Sequence, residues 1–367
     1  MTFDQSTSRR SIRLVPELRA VHLERYARTT PALMLYFDEN YDLAGVPVPP
    51  EIRKVRLQSL VSVFWSSKAV VLEMPEPLWV RFLTTGAAIA VLFKMTGAVR
   101  GRRRLIGTYA MENNSLSRLI GGRRRVPEPV VRVFAVGLGL YMRAFIDRLA
   151  FASSGAERLY MALPFVSAIE HRTVEELPSA LAADDDSVTT GSALFVGVLE
   201  PRKGVRELFA AWEQVERIHE RVMLSIVGPG PLAREVEAWV AQRPSSRCYL
   251  GQRPRTEVVE RLRRTQLLVA PSIPYGRWRE QIGLPIKEAL SVGVTVVTSR
   301  QTGLVDWLEQ HGHRVVDLSV SDAGVDALAS AVSEALTSPL DRATVRASLP
   351  EVEGRIDSDA WLHRGTR

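Results

Sequence analysis

Between Ala193 and Gly312 the chain alternates short β-branched runs with helix-like segments. Strand-like ALFVGV leads through a loop into VRELFAAWEQV, and VMLSIVG ends on the turn GPGPL. LLVAPS (Leu267–Ser272) precedes the loop YGRWREQIG and the segment LPIKEALSVG, after which come VTVVTS (Val294–Ser299), a turn containing Gly303, and VDWLEQHG. This βαβα alternation demands a parallel sheet covered by helices, because parallel neighbours need a crossover and a helix supplies it. Pro285 near the first turn and Gly293 past the last bound the helix that follows LLVAPS.

Strand, loop and helix therefore meet at Glu280–Pro285. The backbone N–H groups of Gly283 and Leu284 should point outward there, at the positive end of a helix dipole, which is a seat for a phosphate. Glu280 and Glu288 stand eight positions apart around this turn. A carboxylate accepts two vicinal hydroxyls well, while backbone amides and an ammonium suit a leaving diphosphate. Two glutamates so spaced also arise by chance on solvated faces, so the surrounding order of elements carries the reading.

That order resembles a known family. FVGVLEPRKG (Phe195–Gly204), LSIVGPGP, YLGQRPRTEVVERLRRTQLLVAPS and EQIGLPIKEALSVGVTVVTS look like the donor-binding half of a retaining glycosyltransferase of family 4, with the GT-B fold. The resemblance covers roughly residues 192–316. It implies an α/β chain of two Rossmann-like domains facing each other across a cleft, and sugar transfer from a UDP- or GDP-linked donor with retention of anomeric configuration. It places Glu280 beside the transferred sugar, Glu288 on the ribose hydroxyls, and Lys203 of the RKG element with Gly283 and Leu284 on the diphosphate. Gly197 ends the first donor-domain strand. Such a cationic cradle can replace the metal of other transferases; neither a metal-ligand cluster nor a cofactor is expected.

Two departures accompany it. Many relatives carry an arginine where this chain has Val198, and the loss of one charge-assisted hydrogen bond is worth about 1.5–3 kcal/mol; Arg202 is the candidate substitute. The histidine that relatives place after a strand of the first half is absent from LIGTYAMENNS (Leu105–Ser115), where Tyr109, Glu112 and Asn113 are the candidates to reach the cleft. Both departures also suit a rival reading, an inactive GT-B protein that binds or scaffolds another transferase.

Composition sets the outer bounds. The chain has 367 residues, 46% hydrophobic and 24% charged, enough for two soluble domains. Its single cysteine excludes an intramolecular disulfide, and with no signal peptide recognised the cytoplasm is the expected compartment. Cys248 is expected as a small buried filler. Arginine greatly outnumbers lysine, as in GC-rich bacterial coding, so cell-surface polysaccharide or glycolipid assembly is the expected setting.

Charge is uneven: residues 1–170 hold 24 Lys and Arg against 14 Asp and Glu, whereas residues 171–367 hold 24 against 27. Arg100–Arg104 and Arg123–Arg125 cluster beside the apolar stretches FLTTGAAIAVLF and VFAVGLGLYM. Basic clusters are drawn to anionic lipid, so a lipid-linked or oligosaccharide acceptor at an anionic membrane surface is the expected partner. FLTTGAAIAVLF is too short to span a bilayer and reads first as a buried helix. No nucleic-acid signature is present.

Residues 1–172 are read as the acceptor-binding domain, 173–190 as a linker, 191–345 as the donor-binding domain and 346–367 as a tail that crosses back to the first, anchored by Trp361. A short helix is expected around Val15–Ala27. KAVVLEMPEP is expected as a strand whose Glu73 and Glu76 face an acceptor or lie in a solvated loop.

Overall fold

The computed structural model describes residues 10–365 apart from 41, 42, 44–46, 123, 184–186 and 320. The start of the expected N-terminal extension, Arg123 of the second basic cluster, the aspartates in the expected linker and the last two residues lie outside the described residues. The chain divides into two compact units, one running to Glu175 and resuming at Gly354, the other running from Glu176 to Glu353.

The first unit holds seven strands: β1 (Ser11–Leu18), β2 (Leu33–Glu39), β3 (Ile52–Lys54), β4 (Val71–Met74), β5 (Leu105–Ala110), β6 (Arg148–Phe151) and β7 (Glu170–Thr173). They form one parallel sheet in the order β3-β2-β1-β4-β5-β6-β7. β1 lies inside the sheet, with Ile12 paired to Leu33 on one side and Leu72 on the other. The helix expected around Val15–Ala27 is thus corrected: β1 continues to Leu18 and a helix occupies only Ala20–Tyr26. Ile12 and Leu14 enter the main core, while Arg13 between them is buried and ion-paired to Glu73 and Asp359.

The segment FLTTGAAIAVLF, after its first residue Phe82, lies in the helix Leu83–Val99, which buries Ile89, Ala90 and Phe93 in that core. Among the described residues no helix is long and apolar enough to cross a membrane.

The closing helix, Gly354–Leu362, belongs to the first unit. Leu362 sits so close to β5 that a Cβ on Gly107 would stand 3.0 Å from its Cδ2. Asp359 accepts from the Thr30 amide at 2.6 Å and pairs with Arg13, while His363 Nδ1 and Nε2 lie 3.1 Å from Ser11 Oγ and Glu73 Oε2. Asp359, Leu362 and His363 are therefore the anchors. Trp361, expected in that role, is half-buried with Arg364 over its ring.

The second unit has β8 (Thr189–Val196), β9 (Met223–Val227), β10 (Arg247–Tyr249), β11 (Thr265–Ala270), β12 (Thr295–Ser299) and β13 (Arg314–Val316), in the parallel order β10-β9-β8-β11-β12-β13. The helix Val205–Ile218 buries Leu208, Ala211, Trp212 and Val215, a three-to-four spacing that turns one face onto the sheet. Cys248 on β10 is half-buried, less enclosed than the small buried filler expected. Strand order reverses between β8 and β11, so loops leaving their carboxyl ends diverge and open a crevice, the usual place for a ligand in such a sheet.

Candidate active site

Loops from both sides of that reversal converge in the second unit. After β8, the Gly197 amide donates to Val227 O at 3.0 Å and the Leu199 amide to Pro229 O at 2.8 Å, which fixes the loop's path over β9. Pro201–Lys203 then form a single 3₁₀ turn, closed by Gly204 in the left-handed region at φ 69°. A Cβ on Gly204 would stand 1.8 Å from the carbonyl oxygen of Pro271, just past β11. Only glycine allows this approach. The Ile273 amide donates to Arg202 O at 3.0 Å and completes the seam.

This seam carries Lys203 to Glu280, with which it forms an ion pair. Each side chain keeps 18% of its surface exposed, so the pair is shielded yet reachable. Ser272 Oγ donates to the same carboxylate at 3.3 Å. Trp278, from the loop between β11 and the next helix, lies under both neighbouring cations, with Lys203 Nζ 5.0 Å and the Arg202 guanidinium carbon 4.4 Å from its ring centre. Arg202 also bonds Glu200. The tryptophan's ring attracts cations while Glu280 holds one of them, so two positive charges are kept at one edge of the crevice.

Gly283, at φ 92°, precedes the helix Leu284–Ser291. Its carbonyl accepts from the Ile286 and Lys287 amides at 3.0 and 3.2 Å, and Pro285 has no N–H, so the amides offered by this helix start belong to Gly283 and Leu284. Leu284 is 49% exposed. Lys203, Glu280, Gly283 and Pro285 line one cleft, floored by Phe195 and Thr298.

Glu288 lies one turn into the helix, buried, with its Oε1 2.6 Å from Arg255 Nε, and is not among the described residues lining that cleft. Lys287 points elsewhere and pairs with Glu176 at 2.7 Å and Glu353 at 3.1 Å, tying together the points where the chain enters and leaves the unit. Val198, in the place of the family arginine, is 36% exposed.

In the first unit the candidates are less accessible. Tyr109 is buried beneath Arg355 of the closing helix, whose guanidinium carbon lies 4.8 Å from the ring centre. Glu112 Oε1 accepts from the Asn113 and Asn114 amides at 3.1 and 2.9 Å, and Asn113 is itself buried. Glu73 is corrected outright. Burial pushes its carboxyl up, but Arg355 and Arg13 beside it, with the His363 bond, hold it well below the usual carboxylate range. Glu76 follows β4 and accepts from the Met111, Glu112 and Leu78 amides; burial pushes its carboxyl up to about 7 despite these three bonds, and the Glu112 charge adds to the rise.

Glu73, Asp359 and His363 bring three ligand-type atoms within 4.8 Å of one another, a grouping that spans 290 positions of sequence and was not legible in it. Arg13 and Arg355 already occupy the carboxylates, so the chemistry is that of an ion-pair network. Trp278 and Arg255 also escaped the sequence reading. A tryptophan two positions before Glu280, in an otherwise polar loop, was the available signal for the first; for the second there was none.

Residues 190–338 match the family model described as Glycosyl transferases group 1. A stretch of 163 residues is 32% identical to a glycogen synthase of Mycobacterium tuberculosis, covering 41% of this chain and 35% of that protein. Another of 151 residues is 30% identical to O-antigen chain mannosyltransferase B of Escherichia coli, covering 40% and 37%. The matched segments thus span little more than a third of these relatives. Among solved structures, the apo form of the lipopolysaccharide outer core galactosyltransferase WaaB superposes with a TM-score of 0.65 at 13% identity, covering 96% of this chain and 98% of that one. Anabaena Alr3699/HepE, in complex with UDP and glucose, gives 0.60 at 13% identity, covering 96% and 95%. These likenesses establish the GT-B fold.

Proposed function

We propose that this chain, whose residues 190–338 match the glycosyl transferases group 1 family, transfers a sugar from a nucleotide-sugar donor to a saccharide or lipid-linked acceptor, with retention and without a metal. The observation that carries the reading is the Lys203–Glu280 pair in one cleft with Gly283 at the start of the helix Leu284–Ser291, at the strand-order reversal of the second unit. The UDP and glucose of the Anabaena complex and the mannosyltransferase relative support a UDP- or GDP-linked donor and a setting in cell-surface polysaccharide or glycolipid assembly.

In this reading Lys203 and the two amides receive the donor diphosphate, with Arg202 adding charge in place of the arginine missing at Val198. Glu280, released from part of its bond to Lys203, orients the sugar hydroxyls, and Glu288 the ribose. The acceptor oxygen bonds to the anomeric carbon as the carbon–oxygen bond to the diphosphate breaks on the same face. The acceptor's proton passes to the departing phosphate oxygen. Preorganised positive charge at the leaving group is the main source of rate enhancement.

The test is a panel of UDP- and GDP-sugars offered with and without bacterial lipid extract, in chelator, with released nucleotide measured and the new linkage read by NMR. Release from one donor, boosted by lipid and giving the donor's own anomeric configuration, is expected. Binding of nucleotide without release from any donor would favour the scaffolding reading, and an inverted product or loss in chelator would overturn the retaining, metal-free assignment.

A further inference from the structure

The helix Glu128–Phe145 buries Leu138, Gly139 and Met142 and turns its opposite face to solvent. That exposed face is apolar along its whole length: Pro129, Val133, Val136, Gly137, Leu140 and Ala144 recur at helical spacing, with Val133 74% and Leu140 53% exposed. A surface helix ordinarily directs polar residues outward, so an uncharged outer stripe over 18 residues marks a face that is covered in use. Arg132 and Arg143 flank the stripe on one side, and Arg124 and Arg125 precede the helix, all exposed. The acidic residue near them, Glu128, is bonded to Arg132 at 2.5 Å.

A second observation comes from the adjoining loop. The carbonyl oxygen of Pro164 is seated on Gly139, where a Cβ would stand 2.0 Å from it, so Phe165 flanks the same helix. Phe165 is the described non-glycine residue with positive φ, at 67°, and it is 50% exposed. A left-handed backbone is unfavourable for a bulky residue, and here it leaves half of an aromatic side chain in solvent. Aromatic rings, an apolar stripe and a basic rim are what an interfacial helix presents to a bilayer.

We infer that the Glu128–Phe145 face, with Phe165, docks the chain on an anionic lipid bilayer. The arginines favour this occupant over a neutral surface or a second copy, whose own arginines would face them. The inference stands apart from the sugar-transfer reading, since binding to lipid needs no turnover.

The experiment is co-sedimentation of the full chain with phosphatidylcholine vesicles containing or lacking phosphatidylglycerol. Each arginine beside an anionic surface contributes about fivefold in affinity, so R124Q/R125Q/R143Q should lose about a hundredfold on anionic vesicles. V133D/L140D should abolish binding on either, with an unchanged circular dichroism spectrum and unchanged nucleotide release without lipid. F165G should weaken vesicle binding while leaving or raising the Tm, a combination that a structural role for the ring would not give. Failure of the wild-type chain to bind anionic vesicles, or equal binding by the variants, would overturn the inference. So would a concentration-dependent dimer in sedimentation that V133D/L140D dissolves.

Discussion

Gly204 and Gly197 both stand in the loops that deliver Lys203, yet the structure assigns them different consequences on substitution by alanine. Gly204→Ala places a methyl 1.8 Å from Pro271 O at φ 69°. The left-handed backbone alone costs about 1–2 kcal/mol for a residue with a Cβ. Overlap with a backbone carbonyl adds about 1–3 kcal/mol, because neither loop can retreat without breaking the Ile273–Arg202 bond. The sum, about 2–5 kcal/mol, corresponds to a fall of roughly 5–15 °C in Tm for a unit of this size. The same displacement moves Lys203, and a shift of about 1 Å at a positioned group can cost on the order of a hundredfold in rate. Gly197→Ala meets nothing nearer than the Phe195 ring at 3.6 Å and is not left-handed, so its stability should change by less than about 0.5 kcal/mol. Calorimetry with donor kcat/KM for both variants is the assay. A Gly204→Ala protein with wild-type Tm and wild-type turnover would refute the reasoning.

Three further outcomes are expected. Glu73→Gln weakens the ion pairs to Arg13 and Arg355 in a buried network and should destabilise the first unit by about 3–5 kcal/mol, read from its denaturant midpoint; a loss below 1 kcal/mol would contradict the network's role. Burial, with smaller contributions from His311 and Arg314, lowers the pKa of His313 from 6.5 to about 4. The unfolded chain then binds more protons between those values, so this group's contribution to stability is fully present above pH 6.5 and lost as pH falls toward 4, on the order of 3 kcal/mol. His313→Gln should flatten that part of the stability–pH curve, and an unchanged slope would exclude the assignment. Glu288→Ala should raise the donor KM by about tenfold to a hundredfold with kcat less affected, and unchanged nucleotide affinity by calorimetric titration would remove Glu288 from the donor site.

The donor half was legible because its signals are local. Pro285, Gly293 and the β-branched runs on either side bound the helix Leu284–Ser291 and the strands β11 and β12 within a residue or two of their expected limits. β1 was hidden for the opposite reason. Arg13 interrupts its apolar pattern, and the partners that make its burial tolerable, Glu73 and Asp359, lie 60 and 346 positions away. The cover over Tyr109 was hidden in the same way, since its position near a strand end is local information while the closing helix that lies over it comes from the far end of the chain. Basic clusters drew attention to the neighbourhood of VFAVGLGLYM, but which of its residues face outward depends on what the helix packs against. Composition does not carry that.

The most direct measurement is sugar transfer by Glu280→Ala and Lys203→Ala at saturating donor, with each variant's Tm matched against the wild-type chain. The account predicts folded proteins whose turnover falls at least about a hundredfold, since each substitution removes a charged group from the reacting donor. Normal transfer by both folded variants would contradict it.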